Sequence, residues 1–184
     1  TQVLWALATM GKGADPGLIE AMQRQGTVTI GEFTPQAVAV AVWALASLDV
    51  VPSEAFLEAI QKRAVETAGE FRPSNVGNLL WGLARFGVEA SPQVQEAMEA
   101  RILETAPDFD PFSLAKVSLG LARMGIVPCL EAMDALQRRT EEVGPLLSPQ
   151  DVADLLWSFA TLGAEASEEV LGAMRRRTYE ISGE

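Results

Sequence analysis

Apolar and polar residues alternate along this chain with a helical period, broken at regular intervals by proline and glycine. In residues 33–70, Phe33-Thr34-Pro35 precedes an apolar face of Val38, Val42, Leu45 and Leu48 at helical spacing. Thr34 suits an N-cap, and Pro35 suits the first helical turn, where its missing N–H costs nothing. A break at Asp49 to Ser53 is followed by a second stripe, Phe56, Leu57, Ile60 and Ala64. The pattern predicts two helices: helix A to about Leu48 and helix B from about Glu54 to Ala68. No segment has the alternation of a strand worth assigning. Thr27 to Ile30 is β-prone but falls at the end of a helix B, where it is expected to fray.

The same unit recurs every 38 residues. Trp5, Trp43, Trp81 and Trp157 lie on this grid, and Leu119 fills the remaining slot. Pro35, Pro73, Pro111 and Pro149 follow it, as do Phe33, Phe71, Phe109 and Leu147. Asp110 and Ser148 repeat the cap chemistry of Thr34, whereas Arg72 makes a weaker cap. Ser53, Ser91 and Ser167 suit the N-caps of the B helices, and Gly87, Gly125 and Gly163 suit left-handed C-terminal caps of the A helices. A helical hairpin cannot cover its apolar face alone, so stacking is required. The expected fold is therefore all-α: a single right-handed α-solenoid domain, 1–184, of stacked helix-turn-helix hairpins. Its parts are a truncated repeat 1–32 and full repeats 33–70, 71–108, 109–146 and 147–184. Tryptophan followed by small residues, as in Trp43-Ala44, predicts a packing ladder between successive A helices, with the indoles in the core. The repeat with Ser118-Leu119 is expected to deviate first.

Composition narrows the function classes. The chain has no His and one cysteine, Cys129, which excludes an internal disulfide, a clustered Cys/His zinc site and the usual serine-type triad. Carboxylate pairs such as Glu141-Glu142 and Glu168-Glu169 sit at predicted helix ends and suit surface charge. Neither an enzyme nor a cofactor or metal site is expected. No apolar run reaches the roughly 20 residues of a membrane span, so membrane insertion is not expected. A net charge of −11 disfavours indiscriminate nucleic-acid binding but leaves room for a local stripe.

Leu147-Ser148-Pro149 to Leu155-Leu156-Trp157, and the matching Phe33-Thr34-Pro35 to Trp43-Ala44-Leu45-Ala46, make a box that resembles the octotricopeptide repeat. This family is related to heptatricopeptide and FAST kinase-like organellar RNA-binding proteins. The resemblance covers nearly the whole chain, with Ser118-Leu119 as a departure. It implies a mitochondrial or plastid protein that binds single-stranded RNA, an organellar transcript or rRNA. The implied roles are RNA stability, processing, translation or ribosome assembly. The alternative is a non-catalytic scaffold subunit of a large organellar assembly with protein partners. Further repeats of the same chain are expected at both ends.

On a helical wheel, the positions equivalent to 37, 40 and 47 vary in character between repeats, beside a row of small residues at 44. Asn and Asp can hydrogen-bond the edges of an unstacked base, as can Ser and Lys, and helical repeats read about one base each. The candidate RNA contacts are Gln2, Asn75, Asn78, Ser113, Lys116, Asp151 and Asp154, with Arg85 and Arg123 placed for phosphates. The small row would admit a backbone or base. A second basic stripe, late in the B helices, comprises Arg24, Lys62, Arg63, Arg101, Arg138, Arg139, Arg176 and Arg177. It suits phosphate contact, but equally cation placement at helix C-termini.

Overall fold

A computed structural model describes residues 1–11 and 15–183. Among them it is all-helical, with ten α-helices packed against each other. The A helices are α1 (Gln2–Met10), α3 (Pro35–Ser47), α5 (Pro73–Phe86), α7 (Pro111–Met124) and α9 (Pro149–Thr161). The B helices are α2 (Pro16–Val28), α4 (Glu54–Glu66), α6 (Pro92–Thr105), α8 (Leu130–Val143) and α10 (Glu168–Ser182). Each A helix packs on the A helix before and after it, and each B helix on its B neighbours. The core lies between the two rows, where Phe56, Ile60, Phe71, Leu83, Phe109 and Phe159 are buried.

Most of the expected punctuation is present. Thr34, Asp110 and Ser148 side chains accept from the N–H three residues on, at 3.2, 2.7 and 3.2 Å. The Arg72 side chain makes no such cap; Asn75 Oδ1 instead accepts the Arg72 N–H at 3.1 Å. Ser91 and Ser167 cap α6 and α10, but Ser53 makes no side-chain cap on α4. Gly87, Gly125 and Gly163 take positive φ, and Asp49 holds the equivalent position with φ 54°. The expected fraying at Thr27 to Ile30 gives way to a defined 3-10 turn, Ile30–Glu32, repeated at Ala68–Glu70, Ala106–Asp108 and Gly144–Leu146.

Two hydrogen-bond rows on the grid tie the array together. Within repeats, Arg63, Arg101, Arg139 and Arg177 donate Nε–H to the carbonyls of Phe33, Phe71, Phe109 and Leu147. Their Nη1 groups bridge to Glu66, Glu104, Glu142 and Glu180. Those carbonyls precede an A helix and have no helical donor of their own, so each guanidinium closes a hairpin at its open end. Between repeats, the Oε1 atoms of Gln23, Gln61 and Gln137 accept the N–H of Ser53, Ser91 and Ser167 at 2.7, 2.7 and 3.0 Å. At the remaining internal step Glu99 faces Cys129, and that hydrogen bond raises the thiol above its ordinary range.

The expected packing ladder of indoles is overturned. The tryptophan row is not core: Trp5 and Trp157 are 51% and 48% exposed, and Trp43 and Trp81 are only partly buried. The small row at 44 is the true ladder. A Cβ on Gly120 would lie 2.8 Å from the Leu80 carbonyl carbon and 2.9 Å from the Trp81 nitrogen, and one on Gly82 would run into Val42. Successive A helices thus meet almost backbone to backbone. The wheel erred by one stripe: close approach needs the small residues inside, which turns the indoles beside them outward.

Candidate functional site

The outward stripe of each A helix runs through the positions equivalent to 36, 40, 43 and 47. In α7 it reads Phe112, Lys116 and Arg123, with Leu119 buried in the tryptophan slot, and in α5 Ser74, Asn78, Trp81 and Arg85. Phe112 is 63% exposed. Lys116 Nζ stands 4.4 Å from the Phe112 ring centroid, 5.2 Å from Trp81 and 6.0 Å from Trp43. The same ammonium donates to Asn78 Oδ1 of the preceding repeat at 2.8 Å. Burial pushes its pKa down to about 8, with the Asp110 carboxylate pulling the other way. Lys116 is therefore still charged at neutral pH and held against three π-faces, a favourable cation–π geometry.

A cleft of about 370 Å³ opens here, lined by Trp43, Trp81, Phe112, Lys116, Gln150 and Asp154 among others. A larger cleft of about 620 Å³ between α2 and residues 50–53 has one cation, Arg24, which pairs with Glu20 at 3.3 Å. Of these two, the first combines aromatic faces with both donors and acceptors.

Charge is segregated between the two rows. Of the 25 acidic residues, two, Asp151 and Asp154, are on A helices, while fourteen are on B helices. The three cations on A helices are Arg85, Lys116 and Arg123. The net charge of −11 thus says little about this face.

The predicted contact residues divide accordingly. Asn78, Lys116 and Asp154 are brought to one partly exposed surface, with Gln2 exposed in the same row at α1. Asp154 accepts from Gln150 at 2.8 Å. Arg123 is exposed and forms no ion pair with a described residue, whereas Arg85 is bridged to Asp49 at 2.5 Å. Asn75, Ser113 and Asp151 are buried. They occupy the third helical position, where Asn75 and Asp151 complete helix caps, Asp151 accepting the Ser148 N–H at 2.9 Å. The Ser148-x-x-Asp151 spacing, a capping-box pattern, was the available signal.

In the second stripe, Arg63, Arg101, Arg139 and Arg177 are the hairpin clasps described above. Arg24 pairs with Glu20, and Arg138 donates to the Asp134 carbonyl at 3.4 Å. Lys62 and Arg176 are exposed without an ion pair among the described residues. Sequence reasoning missed Phe112 and the tryptophans as surface groups. For the tryptophans the signal was the small residue one position later on the grid, Ala6, Ala44, Gly82 and Ser158.

No group of three or more potential metal ligands occurs among the described residues, and no helix is long and apolar enough to cross a membrane. Neither a family model nor a curated protein matches the chain.

Proposed function

We propose that this chain is a non-catalytic RNA-binding protein of the octotricopeptide repeat kind, acting in a mitochondrion or plastid. Its hairpins form a right-handed α-solenoid, and single-stranded RNA lies along the outward stripe of the A helices. The A-on-A and B-on-B packing at a constant 38-residue interval supports the solenoid. One observation carries the binding reading: a face with Trp5, Trp43, Trp81, Phe112 and Trp157, three cations, and no acid on α1, α3, α5 or α7. Bases stack on aromatic side chains without regard to sequence, at roughly 1–3 kcal/mol each, while cations track the phosphates. Asn78, Lys116 and Asp154 supply hydrogen bonds to base edges. Support for RNA stability, processing, translation or ribosome assembly follows from the family resemblance.

The acidic B helices favour a second reading, a scaffold whose B row meets a basic protein partner. Titration with random-sequence single-stranded RNA at two salt concentrations separates the two. Binding that weakens with salt and changes preference in Asn78 or Asp154 variants supports RNA reading; absence of binding at low salt leaves the scaffold.

A further inference from the structure

Leu119 occupies the slot that holds Trp5, Trp43, Trp81 and Trp157 elsewhere on the grid. Where the others carry an indole, this repeat leaves the cleft of about 370 Å³. Its walls are chemically unequal. Lys116 brings an ammonium, one of whose N–H groups is held by Asn78 Oδ1. Asp154, on the next A helix, gives one carboxylate oxygen to Gln150 and has the other in reserve. Trp81 and Phe112 offer flat apolar faces.

We propose that this cleft binds a single guanine base, a specificity that rests on the RNA-binding reading of the same face. Guanine presents two acceptors together, O6 and N7, which suit the Lys116 ammonium. Its neighbouring edge presents N1–H and N2–H₂, donors that suit the free oxygen of Asp154. Adenine and cytosine put an amino group where guanine or uracil has a carbonyl, so a donor would face the ammonium. Uracil has the carbonyl but lacks the exocyclic amine that reaches a second acceptor.

The test uses the full chain. Short single-stranded RNAs are selected from a random pool, and the preferred RNA is compared with twins carrying another base at each guanine. The expected result is one position at which guanine is favoured by roughly tenfold, the scale of one good hydrogen-bonded base contact. Leu119→Trp restores the grid residue and fills the cleft, and should abolish that ratio while the helical circular-dichroism signal persists. Asp154→Asn, which replaces an acceptor oxygen by a donor amide, should reduce it independently. RNA binding with no guanine preference, with preference for another base, or with a guanine ratio that survives both substitutions overturns the inference and leaves RNA binding standing. No RNA binding by the parent chain at low salt overturns both.

Discussion

Alanine placed at two helical glycines should change stability with opposite sign, and this isolates the packing of the A row. In a helix interior, alanine is favoured over glycine by about 1 kcal/mol. Gly172 lies in α10, and its added Cβ would meet only the Arg176 guanidinium, at 3.4 Å. Gly172→Ala should therefore stabilise by up to about 1 kcal/mol. Gly120 lies in α7, and its Cβ would sit 2.8 Å from the backbone of α5. Ordinary carbon contact begins near 3.5 Å, so the two helices must part by roughly 0.7 Å. Overpacking of this kind costs about 1–3 kcal/mol, which exceeds the propensity gain in most of that range. The net expectation is a loss of about 1 kcal/mol for Gly120→Ala, or a fall of roughly 2–4 °C in midpoint for a chain of this size. Thermal and urea unfolding followed by circular dichroism read both variants against the parent, as midpoint shifts because repeat arrays need not unfold in one step. If Gly120→Ala stabilises as much as Gly172→Ala, the A helices do not approach backbone to backbone, and the outward placement of the tryptophans loses its cause.

Arg101→Lys keeps the charge but removes the fork that reaches both the Phe71 carbonyl and Glu104; unfolding should show a loss of about 1–2 kcal/mol, and an unchanged midpoint would remove the clasp. Ser118→Ala should stabilise by about 1 kcal/mol, because the Ser118 hydroxyl is buried without a hydrogen-bond partner; destabilisation would mean the hydroxyl is satisfied. Lys116 is expected to make stability pH-dependent. Its folded pKa is depressed to about 8 from 10.5, so the native state binds fewer protons than the unfolded chain between those values. Parent stability should thus rise relative to Lys116→Met as pH climbs from about 8 to 10.5, and parallel pH profiles of the two proteins would contradict the burial.

The helical pairs, their order and most of their caps were legible because proline, glycine and cap residues act locally. The direction faced by each helix was not. Trp43 and Ala44 are adjacent, and periodicity alone allows either to point inward; the choice depends on how close the neighbouring helix comes. That distance is set by Gly82 and Gly120 meeting the preceding A helix, a contact 38 or more residues away. For the same reason Asn75 and Asp151 looked like exposed variable positions, although each closes a helix end. The arginine clasp was invisible as such, since its partner is a backbone carbonyl 30 residues earlier, and a carbonyl leaves no mark in a sequence. Asn78, Lys116 and Asp154 were legible as a varying polar row, and the structure adds the aromatic rings beside them.

All four tryptophans lie on A helices, so their fluorescence reports on the proposed binding face alone. Titration of the chain with single-stranded RNA should quench that emission saturably, with a midpoint that shifts to higher RNA concentration as salt is raised. RNA that binds while the tryptophan emission stays unchanged, or RNA that does not bind at low salt, would contradict the assignment of the A-helix face as the site.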